Sequence, residues 1–291
     1  MSMTLFHKIV DEYVQCGGGP IGLAPTVGDP LVDPHLIERI RYARSFPAIT
    51  HIGVISNMIS LERHGVRALA RSGLSSLTVS MSGFDEEMYQ RLYRSKMYKK
   101  VVHNVKAFAQ ANREAGQPVD FRVSLRIDRP VKEVFTNSDY QDVANLIGVD
   151  HINVKFRYDN WAGKISQDAL SGNMKLRKYS MLRMPRISAC SEMFSGPMIY
   201  WDGKVGACGC RDVDARELII GDSNILHLAE IWFGEEIHTL RKQFVTGAVP
   251  DICKRCTHYQ NISIVLRPDR KEYRKNIRPC PLSGGVSGSN R

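Results

Sequence analysis

Five short apolar runs limit what this chain can fold into more than any other feature. They are Ile21–Thr26, His51–Ser56, Leu77–Ser82, Phe121–Ile127 and His151–Phe156. Amphipathic stretches separate them. Leu36, Ile37, Ile40 and Ala43 share one helical face behind Asp33-Pro34, an N-cap acceptor followed by a helix-starting proline. Leu61–Ser72 reads as a helix closed by Gly73, Asp85–Ala115 as one or two helices, and Ser138–Leu146 as a helix stopped near Gly148. Strands alternating with helices argue for an α/β fold with a parallel sheet. Both an open Rossmann-like sheet and a partial (β/α) barrel satisfy the pattern. The chain opens on a helix, Thr4–Gln15, with Leu5, Phe6, Ile9, Val10, Tyr13 and Val14 on one face. Such folds open on a strand, so the pattern reads as one strand short at the front.

After about Asp159 the texture changes. Residues 166–188 show no clear period. Met198–Tyr200 and Lys204–Ala207 then flank Trp201-Asp202-Gly203, and Asp-Gly between apolar runs signals a hairpin. Ile225–Phe244 reads as a helix pair or one kinked helix. The sequence therefore divides into a strand–helix region at 1–165, a smaller module at 185–262, and a basic, flexible tail at 263–291 ending in SGGVSGSNR.

Composition removes several classes of function. No run approaches the ~18 apolar residues of a membrane span, and the N-terminus lacks the apolar centre of a signal peptide. Cytoplasm is the expected compartment. The net charge of +10 is dispersed except at Arg267–Arg278, and no nucleic-acid motif is present. In a cytosolic chain, clustered cysteines point to metal or catalysis before disulfides. Of seven cysteines, Cys190, Cys208, Cys253 and Cys256 form a four-thiolate set. The hairpin returns Cys208 towards Cys190, and Cys253-Lys-Arg-Cys256 offers two thiolates from one turn. Four thiolates suit zinc or a [4Fe–4S] cluster, and spacing alone leaves both open. Cys210 competes for the place of Cys208, whereas Cys16 and Cys280 read as packing residues.

Cys190, twelve residues, Gly203, four residues, Cys208 and then Cys253-x-x-Cys256 resembles the SPASM module, the auxiliary-cluster domain that follows radical S-adenosylmethionine (radical SAM) barrels. Ile220-Gly221-Asp222 and the segment through Leu228, Ile231 and Trp232 resemble that module's "GN…sleeIW" stretch. The longer form of the module has seven cysteines and two clusters. The continuation THYQNISIV has no cysteine, so the resemblance implies one cluster. Family spacing from Gly203 favours Cys208 over Cys210.

The first half resembles the same family. Pro25–Pro30 (PTVGDP) is similar to the "GGEP" segment that contacts the amino group of S-adenosylmethionine, with Asp29 at the acidic position and Val27 in place of the usual glycine. Ser56-Asn57 resembles the "TN" ending the next strand, and Ser80-Met81-Ser82-Gly83 resembles "S-x-D-G", with Ser82 in place of aspartate. Ser124 and Arg126 end the following strand. The resemblance thus implies S-adenosylmethionine contacts at Gly28, Asp29, Pro30, Ser56, Asn57, Ser80 and Ser82. It implies an incomplete (β/α)6 barrel lacking its first strand. It also implies a peptide or small-molecule substrate, and a reductant such as flavodoxin or ferredoxin if the protein is active.

In the family a Cys-x3-Cys-x2-Cys loop holds a second [4Fe–4S] cluster whose open iron binds S-adenosylmethionine, and reductive cleavage yields a 5′-deoxyadenosyl radical. None of the seven cysteines here has that spacing. The expectation is a sequence beginning at an internal methionine of a longer enzyme. In that case these 291 residues bind one auxiliary cluster and do not cleave S-adenosylmethionine. The alternatives are a non-catalytic iron–sulfur partner protein and a zinc-stapled scaffold.

Overall fold

The computed structural model describes residues 1–178, 186–209 and 211–265. It divides into two compact units, one formed by residues 19–158 with 166–177, the other by 1–18, 159–165 and 178 onward.

The first unit is built on five parallel strands in the order β1-β2-β3-β4-β5: β1 Gly19–Gly22, β2 Ile49–Ser56, β3 Ser76–Ser82, β4 Asp120–Arg126 and β5 Ile152–Lys155. Each strand beyond the first pairs with its predecessor, as in Val54↔Leu77 and Val79↔Val123. A doubly wound sheet reverses its strand order at a switch point. This one never reverses, which selects the barrel-type alternative. Counting α1 as the opening helix Met3–Gln15, the covering helices are α2 Leu36–Arg44, α3 Val66–Ala70, α4 Glu86–Tyr93, α5 Tyr98–Glu114, α6 Val131–Phe135 and α7 Ser138–Ile147. Val54, Leu77, Val79, Val123 and Leu125 from the sheet and Ile40, Leu69, Val101, Phe108 and Val143 from the helices are buried. Phe108 packs on Phe121 with ring centroids 4.8 Å apart. Each such side chain contributes about 1.5–3 kcal/mol on burial.

One expected helix is interrupted. Leu61–Arg63 is a single 3₁₀ turn, and α3 begins only at Val66. Between them Gly65 sits at φ +75°, a conformation that cannot continue a right-handed helix. At the far end, β6 Arg157–Tyr158 pairs in parallel with β7 Lys175–Leu176, so residues 166–177 return to this unit. Ser171 and Asn173 fasten that return by donating to the Asp128 carboxylate and carbonyl.

The second unit carries α8 Glu192–Ser195, a three-stranded antiparallel sheet (β8 Met198–Ile199, β9 Lys204–Gly206, β10 Ile219–Asp222), α9 Leu228–Trp232, α10 Glu235–Val245 and α11 Asp251–Arg255. The Ile225–Phe244 pattern is thus a helix pair, divided at Gly234. Helix α1 belongs to this unit. Its Glu12 carboxylate accepts from the Leu228 amide at 2.8 Å, and Lys8 donates to the carbonyls of Ser223 and Leu226. Val205, Ala207, Ile220, Ile231, Ile237 and Phe244 form the core. Among the described residues no helix is long and apolar enough to cross a membrane.

Candidate functional site

Three separate segments bring the thiols of the second unit together. Cys190 precedes α8 and forms an antiparallel bridge with Asn261, reinforced by the Ser191 amide donating to Gln260 and the Ile262 amide donating to Ala189. Cys208 follows β9, where the Ala207 amide donates to the Leu218 carbonyl. Cys253 lies in α11 and Cys256 caps its end, its amide donating to the Cys253 carbonyl at 3.3 Å. The hairpin that returns Cys208 closes through a three-residue loop. Gly203 at φ +95° takes the left-handed position that such a loop demands.

Burial and mutual proximity set the electrostatics. Cys190 and Cys253 are buried, and Cys208 and Cys256 pack half-buried against the same core. Burial pushes the Cys190 thiol up to about 11, against the pull of amide hydrogen bonds and with Glu192 and Cys256 adding to the rise. Burial raises Cys253 further, and Cys208, Cys190 and Cys256 each add to the rise, so all three lie close enough to repel a charge there. Cys256 is raised by burial too, offset by the His258 amide and by Arg211. Four thiolates cannot coexist in so dry a place without a compensating cation. Among the described residues no group of three or more His, Cys, Asp or Glu side chains is arranged to hold a metal ion. Backbone donors already point at two of the sulfurs, His258 N–H to Cys256 Sγ at 3.3 Å and Gln260 N–H to Cys190 Sγ at 3.4 Å. The donor set and these amides fit a cluster. Glu192 is held below its ordinary range by His258, 3.5 Å away. Cys16 ends α1. Cys210 and Cys280, like the tail beyond 265, lie outside the described residues.

In the first unit the expected ligand-binding residues fall into two groups at the C-terminal ends of the strands. Asp29, after β1, draws in the end of β2. Its carboxylate accepts from the Ser56 hydroxyl at 2.9 and 3.0 Å, from the Asn57 amide at 2.5 Å and from the Leu31 amide at 3.0 Å. Gly28 precedes it at φ +106°, and Pro30 begins the 3₁₀ turn that Asp29 caps. The second group joins β3 to β4. Arg126 donates to the Ser80 hydroxyl at 2.7 Å and to the Tyr93 hydroxyl at 3.0 Å. Tyr93 stacks on Tyr89 with centroids 5.1 Å apart. Burial raises the nearby Tyr158 phenol to about 12, with Arg126 opposing and Tyr93 adding. Ser82 is fully buried, its hydroxyl donating to the Gly83 carbonyl. Tyr93 has no sequence signal of its own. It is an ordinary residue of an amphipathic helix until α4 sets it over β3.

Comparison with known proteins agrees with both halves. The model of the radical SAM superfamily matches residues 8–125, and that of the SPASM iron–sulfur cluster-binding domain matches residues 190–257. A GTP 3′,8-cyclase of Petrotoga mobilis is 24% identical over 166 residues, 57% of this chain and 47% of the relative. The chain therefore spans about half the length of that curated relative. Among solved structures, Streptococcus suis SuiB bound to S-adenosylmethionine superposes with a TM-score of 0.59 at 12% identity, covering 92% of this chain and 67% of SuiB. SuiB bound to its precursor peptide SuiA gives 0.58. BtrN in complex with AdoMet and 2-DOIA gives 0.51 at 14% identity, covering 88% of this chain and 80% of BtrN. At these identities the likeness establishes the fold.

Proposed function

This chain belongs to the radical SAM superfamily and carries a SPASM iron–sulfur domain, and from that premise we propose that it binds one auxiliary [4Fe–4S] cluster through Cys190, Cys208, Cys253 and Cys256. We further propose that in its complete form it is an enzyme that cleaves S-adenosylmethionine reductively and modifies a bound substrate. The observation that carries the first reading is the convergence of four thiols, two buried and two half-buried, with two backbone amides directed at their sulfurs. The second rests on the family and on the polar groups gathered at the strand ends, where barrels of this type place their chemistry.

A family cluster with an open iron supplies, when bound, the electron that breaks the sulfonium bond. Its Cys-x3-Cys-x2-Cys is not among these 291 residues. What these residues contribute is binding and orientation. Asp29 holds the β1 loop against Ser56 and Asn57, with Gly28 and Pro30 shaping the approach to the amino group of S-adenosylmethionine. Arg126 presents a guanidinium beside Ser80, suited to the ligand's carboxylate, while Ser82 packs beneath the β3 end. A peptide or a small molecule is the proposed substrate class: of proteins with the same fold, SuiB has been solved bound to its precursor peptide and BtrN in complex with AdoMet and 2-DOIA. A flavodoxin or ferredoxin is the proposed reductant.

Anaerobic reconstitution followed by iron, sulfide and zinc analysis tests the cluster reading. The expected result is a broad charge-transfer band and about four irons per chain. Tightly bound zinc without iron would instead establish a zinc-stapled scaffold.

A further inference from the structure

Residues 159–164 carry no cysteine, yet they touch two of the cysteine-bearing loops. Asn160 closes a ring of hydrogen bonds with the loop of Cys256. Its side-chain amide donates to the Arg255 carbonyl at 2.7 Å, and its Oδ1 accepts from the Thr257 amide and the Thr257 hydroxyl, both at 3.1 Å. The Asn160 amide donates to that same hydroxyl at 2.8 Å. The residues on either side of Cys256 are thereby fixed from outside. Asp159 grips the loop that follows Cys208, its carboxylate holding the Arg211 guanidinium through two 2.9 Å contacts. The Arg211 guanidinium lies 5.6 Å from the centre of the Trp161 ring. Lys164 pairs with Asp214 further along the same loop.

The backbone between these grips is unusual. Trp161, Ala162 and Gly163 take positive φ values of +47°, +53° and +89° in succession. Non-glycine residues hold such angles only where their surroundings over-determine them. Here Ala162 is buried in the core shared with Cys190 and Cys253, and Gly163 lies against the Arg255 side chain. The ligand segments come from distant parts of the chain. Glu217 ties the loop after Cys208 to α11, accepting from the Ile252 amide at 3.2 Å and pairing with Arg255, and residues 159–164 add a second tie that reaches both loops.

We propose that Asp159, Asn160 and Trp161 form a positioning staple for the auxiliary cluster, fixing the Cys208 and Cys256 loops at the separation the cluster requires. The proposal rests on the four-thiol reading above. Its consequence is that Cys256 is the first ligand to let go when the Asn160–Thr257 ring is broken.

The test uses the full chain, reconstituted anaerobically, and measures the rate of iron transfer to a ferrous chelator together with the electron paramagnetic resonance spectrum after mild oxidation. Asn160→Ala and Thr257→Val are each expected to speed iron release roughly tenfold, the lower end of the range for residues that orient metal ligands. They are also expected to give a [3Fe–4S] signal absent from the wild type. Thr257→Ser keeps the hydroxyl that closes the ring and is expected to match the wild type in both measurements. Should Asn160→Ala fail to fold, the Thr257→Val and Thr257→Ser pair decides. Wild-type release rates and spectra in Asn160→Ala and Thr257→Val overturn the staple while leaving the cluster reading intact. Failure of the wild type to take up iron overturns both.

Discussion

Replacing Gly203 with alanine should unsettle the hairpin that delivers Cys208, and the size of the effect follows from the geometry. Gly203 sits at φ +95°, where an L side chain costs about 1–2 kcal/mol. A Cβ built there would stand 2.1 Å from Asn224 Nδ2 and 2.9 Å from its Cγ. The Asn224 side chain must therefore move. In place it donates to the Asp202 carbonyl and to Asp222 Oδ1, both at 2.7 Å, and two lost hydrogen bonds add about 0.5–1.5 kcal/mol each. The expected loss is about 2–5 kcal/mol, a large part of the ~5–15 kcal/mol that holds a domain folded. All three tryptophans, Trp161, Trp201 and Trp232, lie in the unit containing the hairpin, so urea unfolding followed by tryptophan fluorescence reports on it. Asn224→Gly removes the obstruction together with its bonds. The double variant should then lose less than the sum of the singles, because the two Asn224 hydrogen bonds, lost in each single variant, are lost only once. A Gly203→Ala protein within about 0.5 kcal/mol of wild type, the usual range for a neutral surface change, would refute the reasoning.

Three further outcomes follow from other parts of the molecule. Cys253→Ala should abolish iron uptake and lower the melting temperature of the reconstituted protein, since ligand binding and folding are coupled in such modules, whereas Cys16→Ala should retain iron; analysis after reconstitution checks both. Gly172→Ala should release the segment 166–177, because its Cβ would lie 2.2 Å from the Asp128 carbonyl oxygen at φ +53°; limited proteolysis should cut there in the variant first, and an unchanged pattern would refute the docking. Asp139 is raised by burial but lowered more by its bonds to Lys106 and Tyr98, so its net shift is downward. A depressed carboxylate stabilises above its unfolded pKa and loses that contribution as pH falls through its folded value, so Asp139→Asn should flatten the acid side of the stability–pH curve, and unfolding followed across acid pH checks it.

Strands β2 to β5 were legible in the sequence because each is a short apolar run bounded by turn residues, a signal that survives without tertiary information; β1 instead lies at Gly19–Gly22, meeting the expected Ile21–Thr26 run only at Ile21 and Gly22. Gly65 shows where that signal fails. Apolar periodicity runs through Leu61–Ser72, yet one backbone angle divides it into a 3₁₀ turn and a short helix. The direction of winding was not legible either, since apolar runs carry no record of which neighbour each strand pairs with. The four thiols were legible as a set because their spacing repeats a module, and Asp-Gly marked the hairpin that brings Cys208 round. Arg126 was visible as a strand-end residue, but its bonds to Ser80 and Tyr93 depend on how β3, β4 and α4 come together. Asp159 and Asn160 gave no signal at all: a polar pair after a strand reads as a loop, and their partners stand 52 and 97 positions away in the chain.

Helix α1 shows why chain order and packing part company. The radical SAM match begins at residue 8, inside α1, while the SPASM match does not begin until residue 190. The packing of α1 is nevertheless with α9. Glu12 is buried and accepts the Leu228 amide, one of the amides that the start of a helix leaves without a partner inside the helix. Lys8 neutralises that carboxylate at 2.7 Å and donates to the Ser223 and Leu226 carbonyls, the turn that leads into α9. Residues 159–164 take a similar part through Asp159, Asn160 and Lys164. The unit that holds the four thiols is thus assembled from three stretches of chain, two of which bear none of those four and precede the SPASM match. The second-unit contacts of Glu12, Asp159 and Asn160 therefore make the folding of the thiol site depend on sequence that a reading by motif assigns to the barrel.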